Sequence, residues 1–217
     1  MTRLLASLAA LLALAGCGGP EPAIAPVNEA EPVNAAGVAE PVPERARVRL
    51  ETTAGAIVVE LDGARAPVTT ANFLRYAEEG RFDGTSFYRA APTQGARERG
   101  FVQGGIRRSY RRMLPPIAHE PTDETGLRHE AGTISMARSA PGMAMGEFFI
   151  TTARMESMDA RGGEPGYAAF GRVVEGMDTV RAILAMPTDP QAGSGAMRGQ
   201  LLAEPVTIVT ARRVADD

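Results

Sequence analysis

The strongest constraint on the fold is a series of short strand-like runs that follow one another at hairpin spacing. The first, VRLETTAGAIVVEL (48–61), alternates apolar and polar residues and breaks at Ala54-Gly55, as a β-hairpin does. Six further runs have the length and composition of strands, and they lie at 85–90, 100–105, 132–138, 147–153, 167–174 and 204–214.

Two segments between these runs have helical periodicity instead. PVTTANFLRYAEEG (67–80) carries its apolar residues on one face, and Thr69 or Thr70 is the expected N-terminal cap. The second helical segment, 176–186, begins at a glycine. Because no repeating βαβ rhythm appears, the pattern predicts an antiparallel barrel or sandwich with helices packed at its ends.

The first 17 residues have the features of an export signal. Arg3 precedes an apolar run of about a dozen residues, which ends in LAGC (14–17). LAGC resembles the bacterial lipobox, in which the cysteine is lipidated and becomes the mature N-terminus. The alternative is an ordinary signal peptide with an incidental cysteine. The lipoprotein interpretation is favoured because Cys17 is the only cysteine and can form no internal disulfide.

Three parts of the chain follow from this interpretation. Residues 1–17 are the signal, and residues 18–46, rich in Pro, Ala and Glu, are predicted to be an extended and disordered tether. Residues 47–217 are the folded domain. Such a protein would face the periplasm from the bacterial cell envelope. Gly18 follows the cysteine in place of an aspartate, which favours the outer membrane by resemblance to enterobacterial sorting.

Composition excludes several classes of function. The net charge of −3 gives no general affinity for nucleic acid, and the basic stretch RRSYRR (107–112) is most simply a solvated loop. His119-Glu120 lacks the second histidine of a HExxH zinc motif, so both His119 and His129 are expected in loops or at the surface. Met143 and Met145 are expected to form a flexible apolar lining beside a pocket.

Several short motifs follow one another in an order that resembles a known family. FYR (87–89) is followed after an insertion by QGG (103–105). With the hairpin at 48–61, the other motifs in chain order are PVTTANF (67–73), GTISMA (132–137), FFIT (148–151) and FGRVVEGMD (170–178). Each motif is weak alone, but seven in order resemble the cyclophilins, which are peptidyl-prolyl cis-trans isomerases. The resemblance implies a mainly β fold, a closed eight-stranded antiparallel barrel capped by two α-helices.

The resemblance also implies a mechanism without nucleophile, cofactor or metal. By this likeness Arg89 is the catalytic arginine and Gln103 is the glutamine that orients it. Substrate-binding positions carried over from the family are Phe101, Met136, Ala137, Arg138, Glu147, Phe149 and Tyr167. The implied partners are proline-containing segments of exported proteins. We expect a monomer that binds the membrane through its lipid and does not bind nucleic acid.

Several positions depart from the family pattern. The insertion PTQGARER (92–99) leaves Phe101 one residue out of register, and strand alternation would turn a shifted ring away from the pocket. Glu147 replaces a glutamine, Tyr167 replaces a histidine, and Ser157-Met158 stands where the family has tryptophan or phenylalanine. These departures keep open an alternative, a catalytically weak module that binds proline-containing segments. A third and weaker possibility is an envelope scaffold.

Overall fold

A computed structural model gives the structure of the chain and describes residues 42–107 and 109–215. The predicted signal, the lipidation at Cys17 and most of the predicted tether lie outside the described residues. Within the two described ranges, no helix has both the length and the apolar character needed to cross a membrane.

The described ranges contain nine strands and three α-helices. The strands are β1 (Arg45–Thr52), β2 (Gly55–Asp62), β3 (Thr85–Thr93), β4 (Ala96–Gly105), β5 (Thr133–Met136), β6 (Glu147–Thr151), β7 (Ala169–Glu175), β8 (Thr188–Asp189) and β9 (Leu201–Val214). The helices are α1 (Pro67–Glu78), α2 (Thr122–Thr125) and α3 (Met177–Ala185). Every predicted strand and both predicted helices are present, and β8 and the one-turn helix α2 were not predicted.

Eight of these strands close into an antiparallel barrel. Their order is β1-β2-β7-β5-β6-β4-β3-β9, and the pairing of β1 with β9 closes the ring. Closure removes the unpaired edges that an open sheet would expose. The two-residue strand β8 lies beside β9, outside the ring. The barrel implied by the resemblance is therefore confirmed, and the sandwich is excluded.

Aromatic rings fill the interior of the barrel beneath α1. Phe73 of α1 lies 5.0 Å from Phe82 and 5.3 Å from both Phe148 and Phe170, measured between ring centroids. All four rings are buried. Because successive residues of a strand point to opposite faces, Phe148 in the core places its neighbour Phe149 on the other face of β6.

The start of α1 differs from the prediction. The N-cap residue is Ala66, which has no capping side chain, and Thr69 and Thr70 lie within the helix. Glu120 provides the missing acceptors, because its carboxylate accepts hydrogen bonds from the backbone N–H of Val68 at 3.0 Å and of Thr69 at 2.8 Å. A carboxylate at this end also complements the helix dipole. The cap therefore comes from a residue distant in sequence.

The insertion 92–99 lengthens a hairpin and does not interrupt the barrel. It forms the end of β3, a turn at Gln94-Gly95 and the start of β4. At the other end of β4, Gly105 has φ +122°, and a Cβ there would lie 2.2 Å from the carbonyl oxygen of Gly146. Only glycine fits this close approach, which explains the second glycine of the QGG motif.

Candidate functional site

Strand pairing aligns three of the predicted site residues in one row. Arg89 on β3 pairs with Gln103 on β4, and Gln103 pairs with Phe149 on β6. Residues directly opposite each other in an antiparallel pair project from the same face. The neighbours Val102 and Phe148 point into the core, so this row lies on the outer face of the barrel.

Phe101 also faces the site. It lies two positions before Gln103 on β4 and therefore projects from the same face. Its ring centroid is 5.4 Å from that of Phe149, and the Cζ atom of Arg89 is 4.9 Å from its centroid. The one-residue shift noted in the sequence thus does not turn Phe101 away.

A β-bulge places two adjacent side chains of β3 in the site. Phe87 pairs with Gly104 and Arg89 with Gln103, so one extra residue, Tyr88, is accommodated on β3. The register of β3 with β9 shifts at the same point. A bulge changes the direction of side chains locally. As a result both Tyr88 and Arg89 contact Gln103, although they are consecutive in a strand.

The guanidinium of Arg89 is held by two glutamine side chains. Nη1 donates to Oε1 of Gln103 at 2.9 Å. Nε and Nη2 donate to Oε1 of Gln200 at 2.9 Å and 2.7 Å, and Nη2 also contacts the carbonyl oxygen of Ala196 at 3.3 Å. Partial burial lowers the pKa of Arg89, and an arginine still remains charged at neutral pH. The site thus contains a fixed cation.

The amide of Gln103 has one orientation because of its other partners. Its Nε2 donates to the Tyr88 hydroxyl at 2.7 Å and lies 3.3 Å from Oε2 of Glu147. The Tyr88 hydroxyl donates to the same carboxylate oxygen at 2.8 Å. Burial, and next the charge of Glu147, raise the pKa of Tyr88, so this phenol keeps its proton. Oε1 of Gln103 is consequently directed to Arg89.

The row borders a cleft of about 430 Å³. Phe101, Phe149 and Met158 contribute apolar surface to it, and Tyr167 stands at 87° to the Phe149 ring with centroids 5.4 Å apart. Arg138 lies over Tyr167, with Cζ 4.9 Å from the ring centroid, and its Nε donates to the carbonyl oxygen of Gly166 at 3.1 Å. The cleft therefore offers an apolar floor beside the Arg89 guanidinium.

His129 supports this floor from behind. It lies in the loop between α2 and β5, which agrees with the predicted loop position, but it is buried and not at the surface. Its ring stacks on Phe149 at 10°, with centroids 5.8 Å apart, and its side chain is fully buried. Nδ1 lies 2.7 Å from Oδ1 of Asp159, and Nε2 lies 2.9 Å from Oγ of Ser135. Burial lowers the pKa of His129 although Asp159 opposes the shift, so the ring is neutral and both nitrogens are satisfied.

The structure brings eight of the nine predicted site residues of the domain to the cleft. Those eight are Arg89, Phe101, Gln103, Ala137, Arg138, Glu147, Phe149 and Tyr167. Met136 is the exception, because its side chain is buried in the barrel core. Met143 and Met145 line the cleft as expected, together with Ile106, Met113 and Met197, which were not predicted.

Three residues that contact the site were missed from the sequence. Tyr88 lies inside the FYR motif, but its role depends on the bulge. His129 precedes Ser135 by a spacing that carries no recognisable signal. Gln200 is 111 positions from Arg89 in the chain and belongs to no motif.

Comparisons with known proteins agree with this geometry. The sequence model of the family described as cyclophilin type peptidyl-prolyl cis-trans isomerase/CLD matches residues 47–212. A peptidyl-prolyl cis-trans isomerase of Streptomyces antibioticus is 37% identical over 169 residues, which cover 76% of this chain and 96% of that protein. Peptidyl-prolyl cis-trans isomerase A of Dickeya dadantii is 40% identical over 147 residues, covering 65% and 73% of the two chains.

Solved structures show the same fold. A cyclophilin-type peptidyl-prolyl cis-trans isomerase of Cryptosporidium parvum superposes with a TM-score of 0.63 at 20% identity, covering 80% of this chain and 99% of that one. A second structure of that protein, determined in the presence of the dipeptide Ala-Pro, has a TM-score of 0.63 at 19% identity. It covers 78% of this chain and 99% of its own.

Proposed function

The chain belongs to the cyclophilin-type peptidyl-prolyl cis-trans isomerases, and from this premise we propose that Arg89 assists rotation about X–Pro amide bonds of exported proteins. Amide resonance gives this rotation a barrier of about 18–20 kcal/mol. Uncatalysed exchange at X–Pro takes tens to hundreds of seconds. The reaction makes and breaks no covalent bond, so the enzyme needs only to stabilise the twisted amide more than the planar one.

The guanidinium of Arg89 supplies that selective stabilisation. Twisting removes amide resonance and returns a lone pair to the proline nitrogen. A donor fixed beside this nitrogen binds the twisted amide and has no comparable acceptor in the planar one. Arginine suits the role because it stays charged and presents its donors in a rigid plane. The observation that carries the proposal is a fixed guanidinium at the rim of an apolar cleft.

The floor of the cleft would hold the proline ring. Phe101 and Phe149 form one apolar surface, and Tyr167 and Met158 stand at its sides. A proline-containing peptide is the substrate that this shape and chemistry favour, and the relative from Cryptosporidium parvum was crystallised with Ala-Pro. Burial of the pyrrolidine ring against aromatic carbon would anchor the peptide while the amide turns.

Exchange spectroscopy tests the activity directly. Cis and trans proline signals of a short Ala-Pro peptide are recorded with and without a catalytic amount of the full chain. We expect exchange within seconds or faster where the uncatalysed peptide needs tens of seconds or more. An exchange rate that does not depend on the protein would contradict the proposal, and would favour a module that only binds proline-containing segments.

The cellular setting is part of the same proposal. The signal-like segment and LAGC (14–17) support export and lipidation at Cys17, and Gly18 supports the outer membrane as the destination. An acylated N-terminus would hold the enzyme in the cell envelope, since stable anchoring needs more than one acyl chain or an added signal. Its substrates would then be exported chains with X–Pro bonds that have not yet isomerised.

Replacement of Cys17 by serine should move the protein from the membrane fraction to the soluble fraction, because serine has no thiol for lipid attachment. Fractionation measures membrane attachment, and mass spectrometry of the mature N-terminus measures signal cleavage and lipidation. Gly18→Asp is a matched control that keeps the cysteine, and it should stay membrane-bound. An unmodified cysteine in the wild-type protein, or cleavage elsewhere, would refute the lipoprotein assignment.

Cyclosporin should inhibit this enzyme poorly. In the family, a tryptophan beside the proline pocket donates its indole N–H to this macrocyclic inhibitor. This chain has no tryptophan, and the corresponding wall contains Met158, which cannot donate a hydrogen bond. A lost buried hydrogen bond costs about 1–3 kcal/mol, or roughly ten- to a hundredfold in affinity.

Calorimetric titration of the wild type and of Met158→Trp measures this effect. The variant restores an indole to the same wall and should bind cyclosporin more tightly than the wild type. Nanomolar binding by the wild type would show that the pocket does not depend on the indole.

A further inference from the structure

We propose that Gln200 is a second positioning residue for Arg89, so that the loop before β9 belongs to the catalytic unit. The inference rests on the proposed role of Arg89. It extends the site to a part of the chain that no motif marks. Gln200 follows a 3-10 turn at Gly195–Met197 and immediately precedes β9.

The hydrogen-bond donors of Arg89 show why a single glutamine does not fix the orientation of the guanidinium. A guanidinium has five N–H groups, one on Nε and two on each Nη. Gln200 accepts from Nε and from Nη2, which fixes one edge of the plane. Ala196 accepts a second bond from Nη2, and Gln103 accepts from Nη1. Among the described residues these four contacts leave one N–H, on Nη1, available to a substrate.

Two acceptors on different edges restrict the guanidinium more than either acceptor alone. Gln103 by itself would permit rotation of the plane about the Nη1 contact. Gln200 removes that rotation by holding the edge that carries Nε. The remaining N–H therefore has a defined direction before substrate binds, which is the form of preorganisation that electrostatic catalysis requires.

The backbone holds Gln200 in place independently of its side chain. The carbonyl oxygen of Gln200 accepts from the N–H of Ala90, which follows Arg89 on β3, at 3.0 Å. Its own N–H donates to the carbonyl oxygen of Met197 at 3.1 Å. The next residue, Leu201, pairs with Arg89 between β9 and β3. The glutamine is thus fixed to the strand that carries the catalytic arginine.

The loop itself is compact. The N–H of Gly199 donates to the carbonyl oxygen of Ala192 at 2.9 Å, and a Cβ on Gly193 would lie 2.4 Å from the carbonyl oxygen of Met197. Met197 lines the cleft. The loop thus contributes both a wall of the cleft and an acceptor for Arg89.

The test compares Gln200→Met, Gln200→Glu and Gln191→Ala by exchange spectroscopy with the full chain. Methionine has a similar length but lacks the amide oxygen, so kcat should fall roughly ten- to a hundredfold with a smaller change in KM. Glutamate keeps an acceptor at the same position and should retain more activity than methionine. Gln191 is exposed in the same loop, and Gln191→Ala should have wild-type kinetics.

Pairing each Gln200 variant with Arg89→Ala separates positioning from general stabilisation. If Gln200 acts through Arg89, Gln200→Met should lower the rate of the wild type and leave the residual rate of Arg89→Ala unchanged. Two results would overturn this inference and leave the proposed function intact. One is an equal loss of rate from Gln200→Met in the wild type and in Arg89→Ala. The other is wild-type kinetics for Gln200→Met when Arg89→Ala is impaired. Full activity of Arg89→Ala would overturn the proposed function and this inference together.

A second readout does not depend on turnover. The Nε–H signal of Arg89, assigned by its loss in Arg89→Ala, should shift and exchange faster with solvent in Gln200→Met. It should be unchanged in Gln191→Ala. An unperturbed Nε–H signal in a folded Gln200→Met protein would show that Gln200 does not hold the guanidinium.

Discussion

Replacing Arg89 with alanine should lower kcat/KM for a proline peptide by about 10²–10³-fold, the effect typical of removing one preorganised donor. The change removes the guanidinium that Gln103 and Gln200 both hold. It leaves the apolar floor in place, so peptide binding should change less than turnover. Exchange spectroscopy gives the rate, and titration of the same peptide gives the affinity.

Arg97→Ala is a suitable control for this prediction. Arg97 is an exposed arginine on the same hairpin, on the part of β4 formed by the insertion. It should keep wild-type activity, which separates loss of the Arg89 donor from loss of a positive charge. Thermal unfolding should show both variants folded. A folded Arg89→Ala protein with wild-type turnover would show that the reaction proceeds without this guanidinium.

Replacing His129 with leucine should lower the free energy of unfolding by about 2–4 kcal/mol. Leucine removes the ring nitrogen that contacts Asp159, whose side chain is only 8% exposed, and leaves Asp159 with the backbone N–H of residue 129 and with Arg128. It also removes the ring nitrogen that bonds to the buried Ser135 hydroxyl. It also removes the ring that stacks on Phe149, so the floor of the cleft should become less well ordered. Denaturant unfolding measures the stability. The peptide assay should give a higher KM than the wild type.

The other histidine of the chain provides the control. His119 is only partly buried, and its Nε2 contacts the carbonyl oxygen of Pro165 at 2.8 Å. His119→Leu should cost less than about 1 kcal/mol, because a partly exposed partner can bond to water instead. Equal losses for the two variants would contradict a special role for the buried ring.

His129 should also make stability depend on pH. Burial lowers its folded-state pKa below the ordinary value of 6.5. Below that value the unfolded chain binds the proton more readily than the folded protein does, so the free energy of unfolding falls as pH falls. The stability is complete above about pH 6.5 and is lost as the pH drops towards the lower folded-state pKa.

Denaturant titrations at about pH 7 and about pH 5.5 measure this slope, and His129→Leu should reduce it. Carboxyl groups with lowered pKa values, such as Glu79 and Asp83, lose their stabilising effect at lower pH. The same slope in the wild type and the variant would assign the dependence to other groups.

Local sequence patterns were sufficient to predict much of the fold and several residues of the candidate site. Alternation and glycine breaks located the strands, and the order of seven motifs indicated Arg89, Gln103 and Phe149, which strand pairing brings together in one row. The pair Phe148-Phe149 shows why this works, because one residue fills the core and the next lines the site as strand geometry requires. The sequence pattern predicts which face of a strand a side chain occupies, because the geometry of that one strand determines it.

The features that were missed depend on pairing between distant segments. Tyr88 reaches Gln103 only because β3 is bulged against both β4 and β9. Glu120 caps α1 from some fifty residues away. Gln200 reaches Arg89 because β9 lies beside β3. None of these contacts leaves a period or a motif in the sequence, because each is set by which strands become neighbours.

The barrel closes by pairing β1 with β9, the strands at opposite ends of the described chain. During synthesis β1 therefore cannot pair with its second neighbour, β9, until nearly the whole domain has been made. The strands β3 to β6, which carry the row from Arg89 to Phe149, are consecutive in sequence and can associate earlier. Gln200 emerges only just ahead of β9. A nascent chain can thus assemble the apolar floor of the cleft first, whereas Gln200 can hold the guanidinium only once the last strand has joined the ring.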